Sequence, residues 1–353
     1  MRDVAIVSFA QSKSVRAEPV QNEVEILMPV IAKAVADSGI PPKEIGFTCS
    51  GSADYLAGQP FAFVYGLEAI GAWPPVRESH VEADGAWALY EAWVLMQEGE
   101  IDSALIYGFG KSSPGSLRDV LTRQLDPYYL APLWPDAISL AALQARALLD
   151  GGSYTERDMA EVAARSRRDA KSNPNAQLTG DFDVDGILKE PYIASPLRHS
   201  DCAPISDGAA AVVLAAGDLA RKVSKRPAWI RGIDHRVEPH YPGVRDLTTS
   251  PSTKTAAEGA GVFNGPIDVA ELYAPFTHQE LILRDALGLA KPNGTKINPS
   301  GGVLAANPMM AAGLIRIGEA ATRISRGDAN RALAHATSGP CLQQNLVAVL
   351  EGE

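Results

Sequence analysis

The sequence predicts an α/β protein built from two similar βαβ-rich halves, residues 1–226 and 227–353. The first observation behind this is an internal repeat. GEIDSALIYGFG (Gly99 to Gly110) follows an apolar helix, and GDANRALAHATSG (Gly327 to Gly339) follows another. With Gly99 on Gly327, Ala104-Leu105 falls on Ala332-Leu333 and Tyr107 on His335. At nearly the same offset Pro42, Glu44 and Ile45 fall on Pro266, Asp268 and Val269. The second observation is the size of the core: 353 residues, 46% of them apolar, suffice for two units. The third is the punctuation. With that core, 31 Gly and 25 Pro imply many tight turns rather than a linker. A duplication of this kind places a site between the halves, where strand ends and helix N-termini converge.

The elements follow from period and boundary signals. Asp3–Phe9 is a buried opening strand, and Glu23–Ser38 a helix with Ile26, Leu27, Val30, Ile31, Ala34 and Val35 on one face. Pro41-Pro42 turns the chain into a strand at Glu44–Cys49, and the Gly-, Pro- and aromatic-rich stretch Gly51–Ser79 reads as a loop around a cavity. Gly85–Gln97 is an apolar central helix and Ile101–Tyr107 a core strand. An insertion begins at Lys111, with helical patterns at Ala137–Leu149 and Thr155–Lys171, before a buried strand at Ala209–Ala215. Lys222–Arg226 is the seam between the halves. The second half offers a strand at Ala228–Ile233, a loop with His235, His240 and Tyr241, a helix at Ser252–Gly259 and a strand at Asp268–Leu272. A helix at Met310–Ile324 and strands at Arg331–His335 and Leu346–Leu350 complete it.

Composition narrows the function classes. Lys plus Arg is 32 and Asp plus Glu 42, a formal charge of −10 that disfavours nucleic acid but leaves room for a local basic patch against an anionic substrate. Cys49, Cys202 and Cys341 are far apart and form no CxxC, which fits a reducing compartment, the cytoplasm. The N-terminal apolar run is too short for a signal peptide, and no stretch is apolar enough to span a membrane. No GxGxxG, GxxxxGK[ST] or HExxH is present, and His235 with His240, or His278 with Glu280, lacks a third ligand.

Four segments can carry chemistry. HVEADG puts Glu82 and Asp84 at the start of the central helix, either as an N-cap and first-turn charge or as an acid or base at the seam. DVAELYAPF puts Tyr273 just past a strand, as a core side chain or as a proton donor; a base role needs a neighbour that lowers its pKa. In NPSGGVLAANP, Asn307 can donate to a developing oxyanion, although loop geometry accounts for the segment equally well. His335 ends a strand, as a satisfied core residue or as a site group before the turn at Ser338-Gly339-Pro340.

These segments resemble the thiolase superfamily over essentially the whole chain. HVEADGAWAL with EGEIDSALIYGFG resembles the segment bearing the thiolase nucleophile, and HSDCAPISDGAAAVVL resembles the end-of-first-half signature of the lipid-transfer-type branch. DVAELYAPF sits where thiolases have Asn-Glu-Ala-Phe or His-Asp-Cys-Phe. GGVLAANPMMAAG sits on the Gly-Gly…Gly-His-Pro loop, and AHATSG resembles the His-Gly-Thr-Gly-Gly turn. The resemblance implies duplicated halves in a layered α-β-α-β-α arrangement, with an insertion at about 111–200 in the first half. It also carries departures. Glu82, or by a slip of a residue or two Asp84, takes the place of the acylated cysteine. Asn307 replaces the catalytic histidine, Tyr273 the third-motif Asn or His, and roughly Ala336 the second cysteine, with Cys341 off the matched spacing. Thiolysis needs an acyl-cysteine, so ordinary thiolase activity is not expected.

The chain is most similar in this respect to the steroid side-chain-cleaving aldolases of actinobacterial cholesterol degradation. That resemblance implies retro-aldol cleavage of a β-hydroxyacyl-CoA, a 17-hydroxy steroid 20-carboxyl-CoA giving a 17-ketosteroid and propionyl-CoA. It implies a homodimer and a partner with an OB-fold and a zinc-binding segment. No metal or cofactor is expected beyond the CoA thioester itself. In the expected mechanism Tyr273, assisted by His335 or an acidic neighbour, takes the β-hydroxyl proton. Asn307 or backbone N–H groups hold the enolate, and His335 or Glu82 protonates Cα. The alternatives are a thiolase-like acyltransferase using Cys341 or another nucleophile, and a non-catalytic acyl-CoA- or lipid-binding subunit. The segment Tyr128–Trp134 (YYLAPLW) lines either an apolar pocket or a partner interface.

Overall fold

The computed structural model describes residues 2–72, 75–291 and 294–353. Trp73, within the expected loop Gly51–Ser79, lies outside the described residues. Ten strands form one continuous sheet in the order β10-β9-β11-β12-β8-β1-β7-β4-β2-β3. They are β1 (Val4–Gln11), β2 (Phe47–Gly51), β3 (Glu78–Val81), β4 (Ser103–Lys111), β7 (Asp207–Ala216), β8 (Ala228–Val237), β9 (Val269–Glu271), β10 (Lys296–Ile297), β11 (Arg331–Ser338) and β12 (Gln344–Glu351). β5 (Tyr192–Ala194) and β6 (Leu197–Arg198) form a separate hairpin.

The strand order repeats. From the middle outward, β1-β7-β4-β2-β3 mirrors β8-β12-β11-β9-β10, and the pairings match: antiparallel for the inner strands, parallel for the outer ones. The aligned residues Ala104 and Ala332 therefore lie on equivalent strands. The blocks join at β1 and β8 through two residue pairs, Ala5–Trp229 and Ile6–Ala228.

Burial sorts the layers. Between the blocks lie two central helices, Gly85–Gln97 and Ala312–Arg326, packed against inward-facing residues of both: Ala104, Ile106 and Val212 from one, Ala332, Ala334 and Ala348 from the other. Helix Glu23–Ser38 covers the outer face of the first block through Leu27, Val30 and Ile31 against Leu105, Tyr107 and Val213. Helices Pro251–Gly259 and Thr277–Ala286 cover the second block against Leu333, Val347 and Val349. Helices Ala137–Asp150 and Glu156–Asp169, between β4 and β7 in the chain, also pack into this second outer layer.

Local chemistry explains the clearest boundaries. Asn22 and Glu25 form a reciprocal capping box that starts the first helix, and Gly39 ends it at φ 69°. Several expectations change. The stretch expected as a loop, Gly51–Ser79, contains helices Asp54–Ala57 and Val64–Ile70. β8 runs on to Val237, so His235 lies in a strand. The expected helix start at Met310 moves to Ala312, because Met309 and Met310 press against β4: a Cβ on Gly110 would overlap the Met309 carbonyl oxygen. Thr277–Ala286 is a helix that the sequence analysis does not identify.

Candidate active site

The two central helices begin side by side, and one carboxylate serves both. Asp84 is the N-cap of helix Gly85–Gln97, where its Oδ1 accepts from Ala86 N–H at 2.9 Å. The same Oδ1 accepts from Leu314 N–H at 3.0 Å, and Oδ2 accepts from Gly313 N–H at 2.9 Å, both in the first turn of the other helix. A Cβ at Gly313 would lie 2.5 Å from this carboxylate, so glycine is what permits the approach. Asp84 is almost fully buried, and burial pushes its pKa up, against the three backbone donors and Arg316. Both helix dipoles favour negative charge at this point. Gly85 N–H also donates to Met310 O at 2.8 Å, which ties the Asn307–Met310 loop to the junction.

Behind Asp84 lies a buried polar cluster. Arg316 Nη1 donates to Glu271 Oε2 at 2.7 Å and to Ser300 Oγ at 2.6 Å. Ser300 donates to Glu271 through its N–H at 3.1 Å and its hydroxyl at 2.6 Å. Burial raises the Glu271 carboxyl, while Arg316 and Ser300 oppose the shift. Arg316, Glu271 and Ser300 are absent from the sequence-derived site. The one signal for them is a charge inside an apolar pattern, Arg316 within GLIRIG and Glu271 within VAEL.

Tyr273 follows β9 and is buried in the central core, within electrostatic reach of Asp84 and Arg316. Burial, then the Asp84 charge, push its pKa well above the usual phenol range, and Arg316 only partly offsets them. The structure thus brings Tyr273 and Asp84 into one electrostatic environment and keeps the phenol protonated. From the sequence, a base role for Tyr273 depends on a neighbour that lowers its pKa, and the one such neighbour among the described residues, Arg316, is outweighed by burial and Asp84.

The other expected residues fall differently. Asn307 is half-buried; its N–H donates to Ser206 Oγ at 2.9 Å, and its Oδ1 is buried with no partner among the described residues. Glu82 is exposed, and its Oε1 accepts from Asp54 N–H at 2.7 Å, anchoring the short helix that follows β2. Among the acids, Asp84, not Glu82, acts on Tyr273. His335 does not join the site. Its equivalent, Tyr107, faces the outer layer of the first block, and His335 likewise faces the outer layer of the second, on the Leu333 side of β11. It is fully buried, its Nε2 meets Asn345 Oδ1 at 3.0 Å, and burial lowers its pKa to about 4.

Burial disfavours the thiolate at all three cysteines, raising Cys49 and Cys202 to about 12 and Cys341 to about 11. Cys341 Sγ donates to Leu140 O at 3.5 Å inside a small apolar cluster. Among the described residues no group of three or more His, Cys, Asp or Glu is arranged to hold a metal ion.

No family model matches the sequence. Sterol carrier protein 2 of Gallus gallus is 28% identical over 388 aligned positions, covering 95% of this chain and 69% of that protein. A solved structure of the Ltp2-ChsH2(DUF35) aldolase superposes with a TM-score of 0.82 at 20% identity, covering 99% of this chain and 97% of that one. Human mitochondrial 3-ketoacyl-CoA thiolase in complex with CoA superposes with a TM-score of 0.78 at 14% identity, covering 100% and 98%. The chain has the thiolase fold. In that thiolase-like frame the Asp84 junction is where the central helices of the two halves meet, and Tyr273 and the Asn307 loop flank it.

Proposed function

We propose that this protein is a carbon–carbon lyase that cleaves a β-hydroxyacyl-CoA by a retro-aldol reaction. The observation that carries this reading is the state of the nucleophiles. All three thiols are held protonated by burial, whereas a neutral phenol, Tyr273, lies at the junction of the central helices. An acyl-cysteine route lacks its thiolate, and a proton-transfer route has its group.

A phenol hydroxyl both donates and accepts. Tyr273 takes the proton of the β-hydroxyl as its own proton passes to Cα. The Cα–Cβ bond breaks, its electron pair moves through the enolate to Cα, and a ketone and a shortened acyl-CoA leave. The phenol ends neutral, as it began. Asn307 donates its amide N–H to the thioester oxygen while charge gathers there. Burial, and after it Asp84, keeps the phenol protonated, and Asp84 also fixes the junction.

The likeness to the Ltp2-ChsH2(DUF35) aldolase supports a 17-hydroxy steroid 20-carboxyl-CoA as substrate, a 17-ketosteroid and propionyl-CoA as products, and a heteromeric complex with an OB-fold partner. A homodimer belongs to the same reading. No helix among the described residues is long and apolar enough to cross a membrane, and three free thiols suit the cytoplasm. The test is release of propionyl-CoA from that thioester, with and without a zinc-binding OB-fold partner. Ketone and propionyl-CoA in equal amounts support the reading. A covalent acyl adduct on any cysteine by mass spectrometry, or binding without turnover in the complex, overturns it.

A further inference from the structure

A second feature lies away from the Asp84 junction. An open-mouthed cavity of about 670 Å³ is walled by the end of helix Glu156–Asp169 and the turn after it, by the last turn of helix Thr277–Ala286, by β10, and by the last turn of the second central helix. Six cations line it, Arg165, Arg168, Lys171, Arg284, Lys296 and Arg323, against one carboxylate, Asp169. The chain as a whole carries a formal charge of −10, so the sign is locally reversed.

Part of this charge is matched. Arg165 pairs with Glu280 at 2.5 Å, Arg168 with Asp169 at 3.2 Å and Lys171 with Asp181 at 2.7 Å. Arg284, Lys296 and Arg323 form no ion pair among the described residues; Arg284 reaches only the Leu289 and Ala290 carbonyls at 3.4 Å. Three helix C-termini also face the cavity, each worth roughly half a negative charge. They offset about half of what the three unmatched cations supply, so a positive excess remains. Cations held on a concave wall repel one another until a multiply charged anion enters. Arginine forks match phosphate oxygens two at a time. The volume is far larger than one phosphate and falls in the roughly 300–1,000 Å³ range of small-molecule sites.

We propose that this cavity binds a small organic molecule bearing two or more phosphate groups. Two sources share that chemistry: a free nucleotide-like polyphosphate and the phosphorylated end of a CoA thioester. Calorimetric titration of the full chain with pyrophosphate, adenosine 3′,5′-bisphosphate and CoA tests it. Pyrophosphate and the bisphosphate bind, and their affinity falls steeply as salt rises. The double variant Lys296→Glu with Arg323→Glu weakens both at least tenfold. The milder Lys296→Gln with Arg323→Gln pair weakens them in the same order with an unchanged melting temperature, which keeps the test valid if the charge reversal unfolds the chain. A parallel loss of CoA affinity assigns the cavity to the phosphorylated end of CoA; an unchanged CoA affinity assigns it to a free polyphosphate. The proposal is overturned by absence of binding at millimolar ligand, by binding indifferent to both variant pairs, or by a hexaglutamate peptide that binds more tightly than the bisphosphate with the same variant dependence.

Discussion

At the scale of single residues, burial sets the protonation states that matter. Tyr273 is useful because it is neutral: a phenol held protonated by burial and by Asp84 can give and regain a proton without carrying charge. Tyr273→Phe removes the relay and little else, since the ring stays in the same buried space. Its cleavage rate should fall by about 10²- to 10⁴-fold with an unchanged circular dichroism spectrum, and an unchanged rate would remove Tyr273 from the mechanism. His335 illustrates the same physics without catalysis. In the folded chain its pKa is lowered from 6.5 to about 4, and that of His278 to about 3. Between pH ~6.5 and ~4 the unfolded chain therefore binds protons that the folded chain refuses. The stability tied to these neutral rings is fully present above the unfolded pKa and is lost as pH falls toward the folded one. At about 1.4 kcal/mol per pKa unit, His335 accounts for roughly 3 kcal/mol of acid-side loss. His335→Gln should flatten the fall in unfolding free energy between pH 7 and pH 4 by about that amount. Equal slopes for the two proteins in urea melts across this range would refute the assignment.

At the scale of elements, the junction of the two central helices depends on one side chain. Asp84 satisfies three buried N–H donors drawn from two helices of different halves. Asp84→Ala leaves all three without an acceptor inside the core. An unsatisfied buried donor costs about 1–3 kcal/mol, so a loss of about 3–5 kcal/mol is expected in denaturant melts. Asp84→Asn keeps one acceptor oxygen and a good N-cap, so it should lose less than half as much while still weakening the field that holds Tyr273 protonated. Equal stability of Asp84→Ala and wild type would mean that the helices are placed by apolar packing alone. One of these helices and one from the outer layer of the second block show what local sequence conveys. Gly85–Gln97 is legible because an acidic cap, an apolar stripe and a following glycine agree. Thr277–Ala286 is not, because its first turns bury His278, Gln279 and Glu280, whose partners Gln144 and Arg165 come from the insertion more than 100 residues away.

At the scale of the molecule, the duplication is legible because each half had to keep its own strand spacing, and aligned residues such as Ala104 and Ala332 occupy equivalent strands. The candidate site is legible only in part. Tyr273, Asp84 and Asn307 sit at motif positions, whereas Arg316, Glu271 and Ser300 act as a unit only after β9, the loop at 298–302 and the second central helix have converged. His335 misleads for a related reason: alternation along β11 decides its face, and only packing shows which face is the seam. The duplication does not make the halves independent. The two blocks of the sheet meet through two residue pairs, but the middle layer is a single core in which the central helices bury apolar surface against each other and the second packs on strands of both blocks. Separated at residue 226, each fragment would expose that inner face, and the first would also lose the Gly313 and Leu314 donors that hydrogen-bond to buried Asp84. Buried apolar area is worth about 25 cal/mol per Å², and domain stability is a small margin of about 5–15 kcal/mol, so losing one face of the core outweighs it. Fragments 1–226 and 227–353 should each lack a cooperative melting transition, and the intact chain should unfold in a single one. A sharp melt of either fragment alone would show that the halves are self-sufficient and that the shared layer is a docked interface rather than one core.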